Sequence, residues 1–383
     1  SIFYENEDLK VLLCILSVSF FFSPFTSTTA ALLTREMRFD SLIYLQLIGK
    51  VLGLAVSIYL VSEGYSYFGV VTGMTTSVLV DFLLARLIKP KDMSWRPRFA
   101  AIGNIVGFGI INSLINLLKR METTAPDIVI GKVGTPRDVA LISRGVGLHM
   151  FLSEFLLNGI RSVVMPYLSR TNREGGDINY SYIKATNLLL AFALPPILVA
   201  GIAAEPLVLL LFGDQWVEAV PIAQSMTIWM GIKLLSNLAF PTLIVMKAEK
   251  SLLAMQIFLI TVLITFLILL YPFGLEMIHW PFIICATLEF CLIGILLKKY
   301  IKLSFLLFFT SIYKALVIAM VCCFVALTLK ENMSTELSDI TKVFGYALAL
   351  IPTWLFTLML TKHPLMDEII SVVRRLQGDF RRK

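Results

Sequence analysis

SLLAMQIFLITVLITFLILLYP, residues 251–272, is 22 residues without a charge. At about 1.5 Å per residue a helix of this length reaches about 33 Å, enough to cross a hydrocarbon core of about 30 Å. Lys247 and Lys250 precede it, and the loop that follows carries Glu276. Ten further stretches read the same way: 9–31, 41–62, 65–88, 99–131, 139–168, 182–204, 219–245, 276–297, 304–328 and 342–361. The chain is 57% hydrophobic and 15% charged, with a mean hydropathy of +0.83, which excludes a soluble globule. The expected fold is all-α: a polytopic membrane protein of eleven transmembrane helices.

Orientation follows from the loops, because Lys and Arg flanks stay on the cytoplasmic side. Basic loops hold Arg35 and Arg38; Lys89, Lys91, Arg96 and Arg98; Arg170 and Arg173; Lys247 and Lys250; Lys298, Lys299 and Lys302. The intervening loops carry acids such as Glu63, Glu205, Asp214, Glu218 and Glu276, and the tail is basic again at Arg374, Arg375, Arg381, Arg382 and Lys383. The C-terminus is therefore expected in the cytoplasm and residue 1 outside. The net charge of +7 is accounted for by these loops and the tail, so nucleic-acid binding is not indicated.

A shift of 212 positions lays Arg35 on Lys247, Arg38 on Lys250, Tyr59 on Tyr271, Phe68 on Trp280 and Arg86 on Lys298. Such self-similarity is the mark of a duplicated transporter unit, with substrate held between the copies near mid-membrane. Three spans precede the matched region in the second copy and none in the first, so roughly 100 residues are expected to be missing at the front. The alternative is chance likeness among apolar helices. The expected organisation is a truncated bundle of three helices over 1–92, a six-helix bundle over 97–300, two further helices over 303–362 and a basic tail over 363–383. Within the tail, Ile369, Ile370, Val373 and Leu376 form either one stripe of a helix lying on the anionic inner leaflet or part of a solvated segment. Cys14, Cys285, Cys291, Cys322 and Cys323 lie inside spans as packing residues, and His149, His279 and His363 show no ligand spacing, so no metal or cofactor is expected.

Ionisable groups in hydrocarbon are costly and usually face protein, water or substrate. The span 99–131 concentrates them: at about 100° per residue, Asn112, Asn116, Lys119, Arg120, Thr123 and Asp127 share an arc of about 100°. Pro126 is expected to kink the outer end and free a carbonyl. The next span places Arg144, Glu154, Asn158 and Arg161 on a similar arc, with His149 on the opposite side. Two readings stand. Either Arg120 pairs with Asp127 and Glu154 with Arg161 as structural groups, or the two stripes line a wet, net-positive cavity. The second suits an anionic substrate such as a diphosphate, because guanidinium binds phosphate oxygens in pairs and ammonium acts as a point charge. The candidate substrate residues are Lys119, Arg120, Arg144, Arg161, Lys50, Asn112 and Asn116, and the candidate ion-coupling residues are Asp127 and Glu154. Lys50 either joins the cavity or snorkels. Lys233, beside Trp229, and Lys314, beside Tyr313, are read as anchors toward an interface, and Asp81 and Glu289 as paired structural groups.

Several segments together resemble the polysaccharide flippases of the multidrug/oligosaccharidyl-lipid/polysaccharide exporter superfamily. Gly107-Phe108-Gly109 followed by Asp127 to Gly134 (DIVIGKVG) is similar to the start of that family's second half. Met165-Pro166-Tyr167-Leu168-Ser169-Arg170 resembles its "fPxLSR" helix end, Leu211 to Ala219 (LFGDQWVEA) its "lfGxxWxxa" outer turn, and Ala31 to Phe39 (ALLTREMRF) its "allRrelrF" loop. Two departures accompany the likeness: the family's Tyr in the second-half second helix is absent from Leu141-Ile142-Ser143-Arg144-Gly145, and the first three helices are missing. The resemblance implies a multi-pass protein of the bacterial cytoplasmic membrane, not an enzyme. Such proteins flip undecaprenyl-diphosphate-linked oligosaccharide repeat units by alternating access, beside polymerases and other assembly proteins, for lipopolysaccharide or exopolysaccharide. A multidrug or metabolite exporter of the same fold would favour a carboxylate-rich cavity instead. A polymerase or ligase would place catalytic side chains in sizeable outer loops, and the outer loops here are short and hold no His–acid pair suited to proton transfer.

Overall fold

The computed structural model describes residues 7–36, 38–88, 102–334 and 336–380. The described residues form helices with no β-strand: α1 (Glu7–Arg35), α2 (Phe39–Ser62), α3 (Ser66–Ile88), α4 (Ile102–Val133), α5 (Pro136–Arg173), α6 (Ile178–Ile202), α7 (Ala204–Phe212), α8 (Val220–Ser236), α9 (Ala239–Val245), α10 (Glu249–Leu270), α11 (His279–Ile301), α12 (Phe305–Asn332), α13 (Asp339–Leu360) and α14 (Pro364–Phe380). Ten spans among the described residues are long and apolar enough to cross a membrane. The eleventh expected span, carried by the 32-residue α4, is not among these ten. Large apolar side chains stand exposed on the helices, among them Phe20, Leu87, Phe155 and Leu306. A bilayer solvates such a surface.

The described chain divides into two units, Ser1–Ala101 and Ile102–Lys383. The expected boundary between 92 and 97 falls outside the described residues. In the first unit α2 and α3 form a hairpin that meets along small residues, Gly49, Gly53 and Ser57 on one helix and Gly69, Gly73 and Ser77 on the other. Close backbone approach of this kind is how apolar helices associate where no hydrophobic effect drives them together. α1 packs on α3, with Phe22 and Phe25 lying 4.9 and 5.7 Å from Phe82, centroid to centroid.

In the second unit the helix starts are written locally. Thr135 and Asp138 form a reciprocal capping box at the start of α5, with Pro136 in its first turn. Asp177 caps α6 through the Tyr180 amide. The Tyr271 hydroxyl donates to Asp138 at 2.8 Å, tying the end of α10 to the turn between α4 and α5. The apolar core includes Trp229 edge-on to Phe282 and Tyr182 stacked on Phe308. The latter contact, with Trp354 donating to the Ala191 carbonyl at 2.7 Å, seats α12 and α13 against α6. α4 continues unbroken through Pro126. The expected single span 219–245 falls within one apolar span, Asp214–Val245, whose helix is locally interrupted at Asn237 and Leu238 between α8 and α9.

The tail begins as the helix α14, whose Leu365, Met366 and Ile369 pack on the core. His363, 1% exposed, anchors its start: its Nδ1 accepts from the Leu365 amide at 3.1 Å, and its Nε2 lies 3.0 Å from Asn187 Oδ1. Both contacts fit the neutral ring protonated at Nε2. Burial, helped by the Lys314 ammonium, pushes this imidazole down to about 4. The unfolded ring takes its proton near 6.5. The folded state thus gains full stability from His363 above about pH 6.5 and loses it as pH falls toward 4. The loss is about 2 kcal/mol once solvent screening is allowed for. Thermal unfolding across that window checks it: His363→Gln is expected to flatten the acid limb of the melting-temperature curve.

Candidate functional site

α4 positions the charged residues expected of the site, and the structure sends them in different directions. Lys119 is half-buried with its ammonium over the Phe240 ring of α9, 3.1 Å from the centroid. Arg120, the next residue, is exposed and makes no ion pair among the described residues. The expected structural pair of Arg120 with Asp127 is therefore not formed. Asp127 is half-buried and instead faces α5, where it lines a cavity of about 160 Å³ with Thr123, Pro126, Ser143 and Gly147. Asn112 is half-buried and Asn116 exposed, both toward the first half of α4.

On α5, Arg144 is exposed and rests on two aromatic faces of the outer turn, Phe212 at 5.2 Å and Trp216 at 4.9 Å. An aromatic face attracts a cation through its quadrupole without cancelling the charge. Lys119 and Arg144 are thus both seated on rings. Glu154 is exposed. The side chains of Arg161 and Asn158 lie outside the described residues. His149 points away from the polar arc, as its helical position requires, and is fully buried with Nε2 2.7 Å from the Ala223 carbonyl. Lys50 belongs to the first unit. It is exposed on a groove of about 750 Å³ along α2 and α3, with Ser57, Ser62 and Ser77 among apolar walls.

The strongest polar contact of the second unit joins residues that the sequence reading had separated. Lys233 of α8 lies 2.7 and 2.8 Å from the two carboxylate oxygens of Glu122 on α4, and it also contacts Glu289 of α11. All three side chains are largely removed from solvent. Lys233 is accordingly no interface anchor. Its ammonium is held between two acids inside the bundle, and Glu289 is a paired group, as expected. Glu122 lies in the charged stretch of α4, whereas Lys233 and Glu289 are each isolated on an apolar stretch of helix, and nothing in their spacing signalled the cluster in advance. Because Lys233 engages Glu122, that acid does not form an ion pair with the neighbouring Arg120.

Comparison with known proteins gives three results. A family described as "Polysaccharide biosynthesis protein" matches residues 1–221, more than half of the chain. The teichuronic acid biosynthesis protein TuaB of Bacillus subtilis (strain 168) is 20% identical over 343 residues, covering 87% of this chain and 69% of TuaB. Among solved structures, the lipid II flippase MurJ in its inward closed conformation superposes with a TM-score of 0.65. That superposition covers 91% of this chain and 74% of MurJ at 12% identity, a likeness of fold.

Proposed function

The chain belongs to the polysaccharide biosynthesis protein family, and from that premise we propose that it moves a lipid-linked oligosaccharide across the bacterial cytoplasmic membrane. The diphosphate of the carrier lipid meets the cationic face of α4 and α5, the apolar chain stays in the bilayer, and the face is exposed to each side in turn. The basic loops and tail lie in the cytoplasm on this reading. Arg161, Lys50, Asn112 and Asn116 remain secondary candidates for the headgroup.

One observation carries the proposal: Arg120 is exposed on the charged helix α4 without a carboxylate partner among the described residues, while the nearest acid in sequence, Glu122, is held by Lys233. Such a charge is expensive in a membrane unless water or an anion compensates it. A diphosphate does so with paired charge-assisted hydrogen bonds. An exporter of cationic amphiphiles would be repelled by the same face. The printed functions of TuaB and MurJ, one in teichuronic acid biosynthesis and the other a lipid flippase, agree with a lipid-linked substrate.

The test is substitution at Arg120 in cells that depend on the full-length protein. Arg120→Ala removes hydrogen bonds to a charged group worth about 1.5–3 kcal/mol, so surface polysaccharide is expected to fall about ten- to hundredfold while membrane insertion is unchanged. Arg120→Lys, which keeps the charge and loses the planar fork, retains part of the activity. Wild-type polymer levels in Arg120→Ala overturn the assignment.

A further inference from the structure

The cavity of about 160 Å³ between α4 and α5 takes its lining from two short stacks of residues. Thr123 and Asp127 stand one turn apart on α4, and Ser143 and Gly147 one turn apart on α5, so each pair shares a face of its helix. Ile142, Val146 and Met150 make the apolar wall. Asp127 is half-buried and enters no ion pair among the described residues. A carboxylate at this depth in a spanning helix needs a compensating partner, and carboxylates so placed commonly mark ion paths.

The remaining polar groups offer oxygen lone pairs. The Thr123 hydroxyl donates to the Arg120 carbonyl at 3.0 Å, so its proton is committed within α4 and its lone pairs stay available. Ser143 adds a second hydroxyl. Pro126, also in the lining, has no amide to give the Glu122 carbonyl one turn earlier. No Lys, Arg or His lines the cavity, so its chemistry suits a cation and not an anion. Size and charge narrow the choice. A water takes about 30 Å³ in the liquid, so the space holds an ion together with several waters. One carboxylate balances one positive charge, whereas divalent and transition ions favour richer sets of charged ligands. Among the described residues no group of three or more His, Cys, Asp or Glu is arranged to hold such an ion. Gly147 keeps the space open: a Cβ there would meet nothing within 4 Å.

We propose that this cavity binds a monovalent metal cation, sodium or potassium. Asp127 is its charged ligand, the Thr123 and Ser143 hydroxyls are its neutral ligands, and water completes the shell. Because the ligands come from two helices, an occupied site ties α4 to α5, and any rearrangement that separates them changes how tightly the cation is held. The same two helices carry Arg120 and Arg144, so the cation lies beside the face proposed for the headgroup. Coupling of the cation to movement of a lipid-linked sugar rests on the function proposed above; the binding site itself does not.

Thermal unfolding of the purified full chain in one detergent tests it, with the bulky cation N-methylglucamine exchanged for sodium or potassium at fixed pH and ionic strength. The expected result is a melting temperature that rises by about 2–4 °C and saturates with at least one of the two metals. Asp127→Asn, which keeps the volume and removes the charge, should abolish the rise. Gly147→Val, which keeps the carboxylate and fills the space, should abolish it as well, and it decides the matter alone if Asp127→Asn is not monodisperse. Absence of any rise with either metal in the wild type, or its persistence in either variant, overturns the proposal. A wild-type transition that follows pH and ignores both metals makes the occupant a proton and overturns it too. Failure of the flippase reading would appear separately, as normal surface polymer in Arg120→Ala, and would leave the metal response untouched.

Discussion

Lys233→Met is expected to lower the stability of the protein by about 3–5 kcal/mol, the usual cost of removing one partner from a buried ion pair. The reason is the residue it leaves behind. Glu122 and Glu289 both contact the Lys233 ammonium, and without it both carboxyls lose that contact in a largely apolar setting. The chain should reach the membrane but give a low yield of monodisperse protein and an early thermal transition. Glu122→Gln and Glu289→Gln, combined with Lys233→Met, should recover most of the loss, because a neutral set of similar volume carries no desolvated charge. If Lys233→Met melts with the wild type, the cluster does not hold the bundle together.

Gly53→Val is expected to be similarly damaging in the first unit, about 3 kcal/mol or more. A Cβ at Gly53 would lie 2.6 Å from the Gly73 carbonyl oxygen and 2.7 Å from Ser77 Cβ. The oxygen belongs to the backbone of the facing helix and cannot turn aside, so α2 and α3 would have to part along the whole seam. Leu54→Val, on the same helix but exposed at 61%, is the control and should stay within about 0.5 kcal/mol of wild type. Thermal unfolding of the two variants in one detergent decides it; equal transitions would mean that the hairpin seam tolerates separation.

The extent of several membrane spans was legible without coordinates. The stretch 41–62 became Phe39–Ser62 and 251–272 became Glu249–Leu270, because hydrocarbon thickness sets helix length and every backbone group must be satisfied within the helix. The cap at Thr135 and Asp138 is equally local. The local interruption at Asn237 and Leu238 within 219–245 was missed, although Ser236-Asn237 and Pro241, which has no amide to donate to the Asn237 carbonyl, mark it.

The candidate site divides the same way. Helical periodicity alone placed Lys119, Arg120 and Asp127 near one arc of α4 and, on α5, turned His149 away from the arc of Arg144. Whether Arg120 paired with Asp127 could not be read from their spacing, since seven positions on one helix permit neighbours on others to intervene. Glu122 found its partner 111 positions away on α8. The sequence by itself determined an all-helical membrane protein with charge concentrated on α4 and α5, because periodicity and burial cost act over one helix at a time. Which charges pair with one another and which stay exposed was decided only by the packing of α4, α8 and α11, since ion pairing depends on distances between helices.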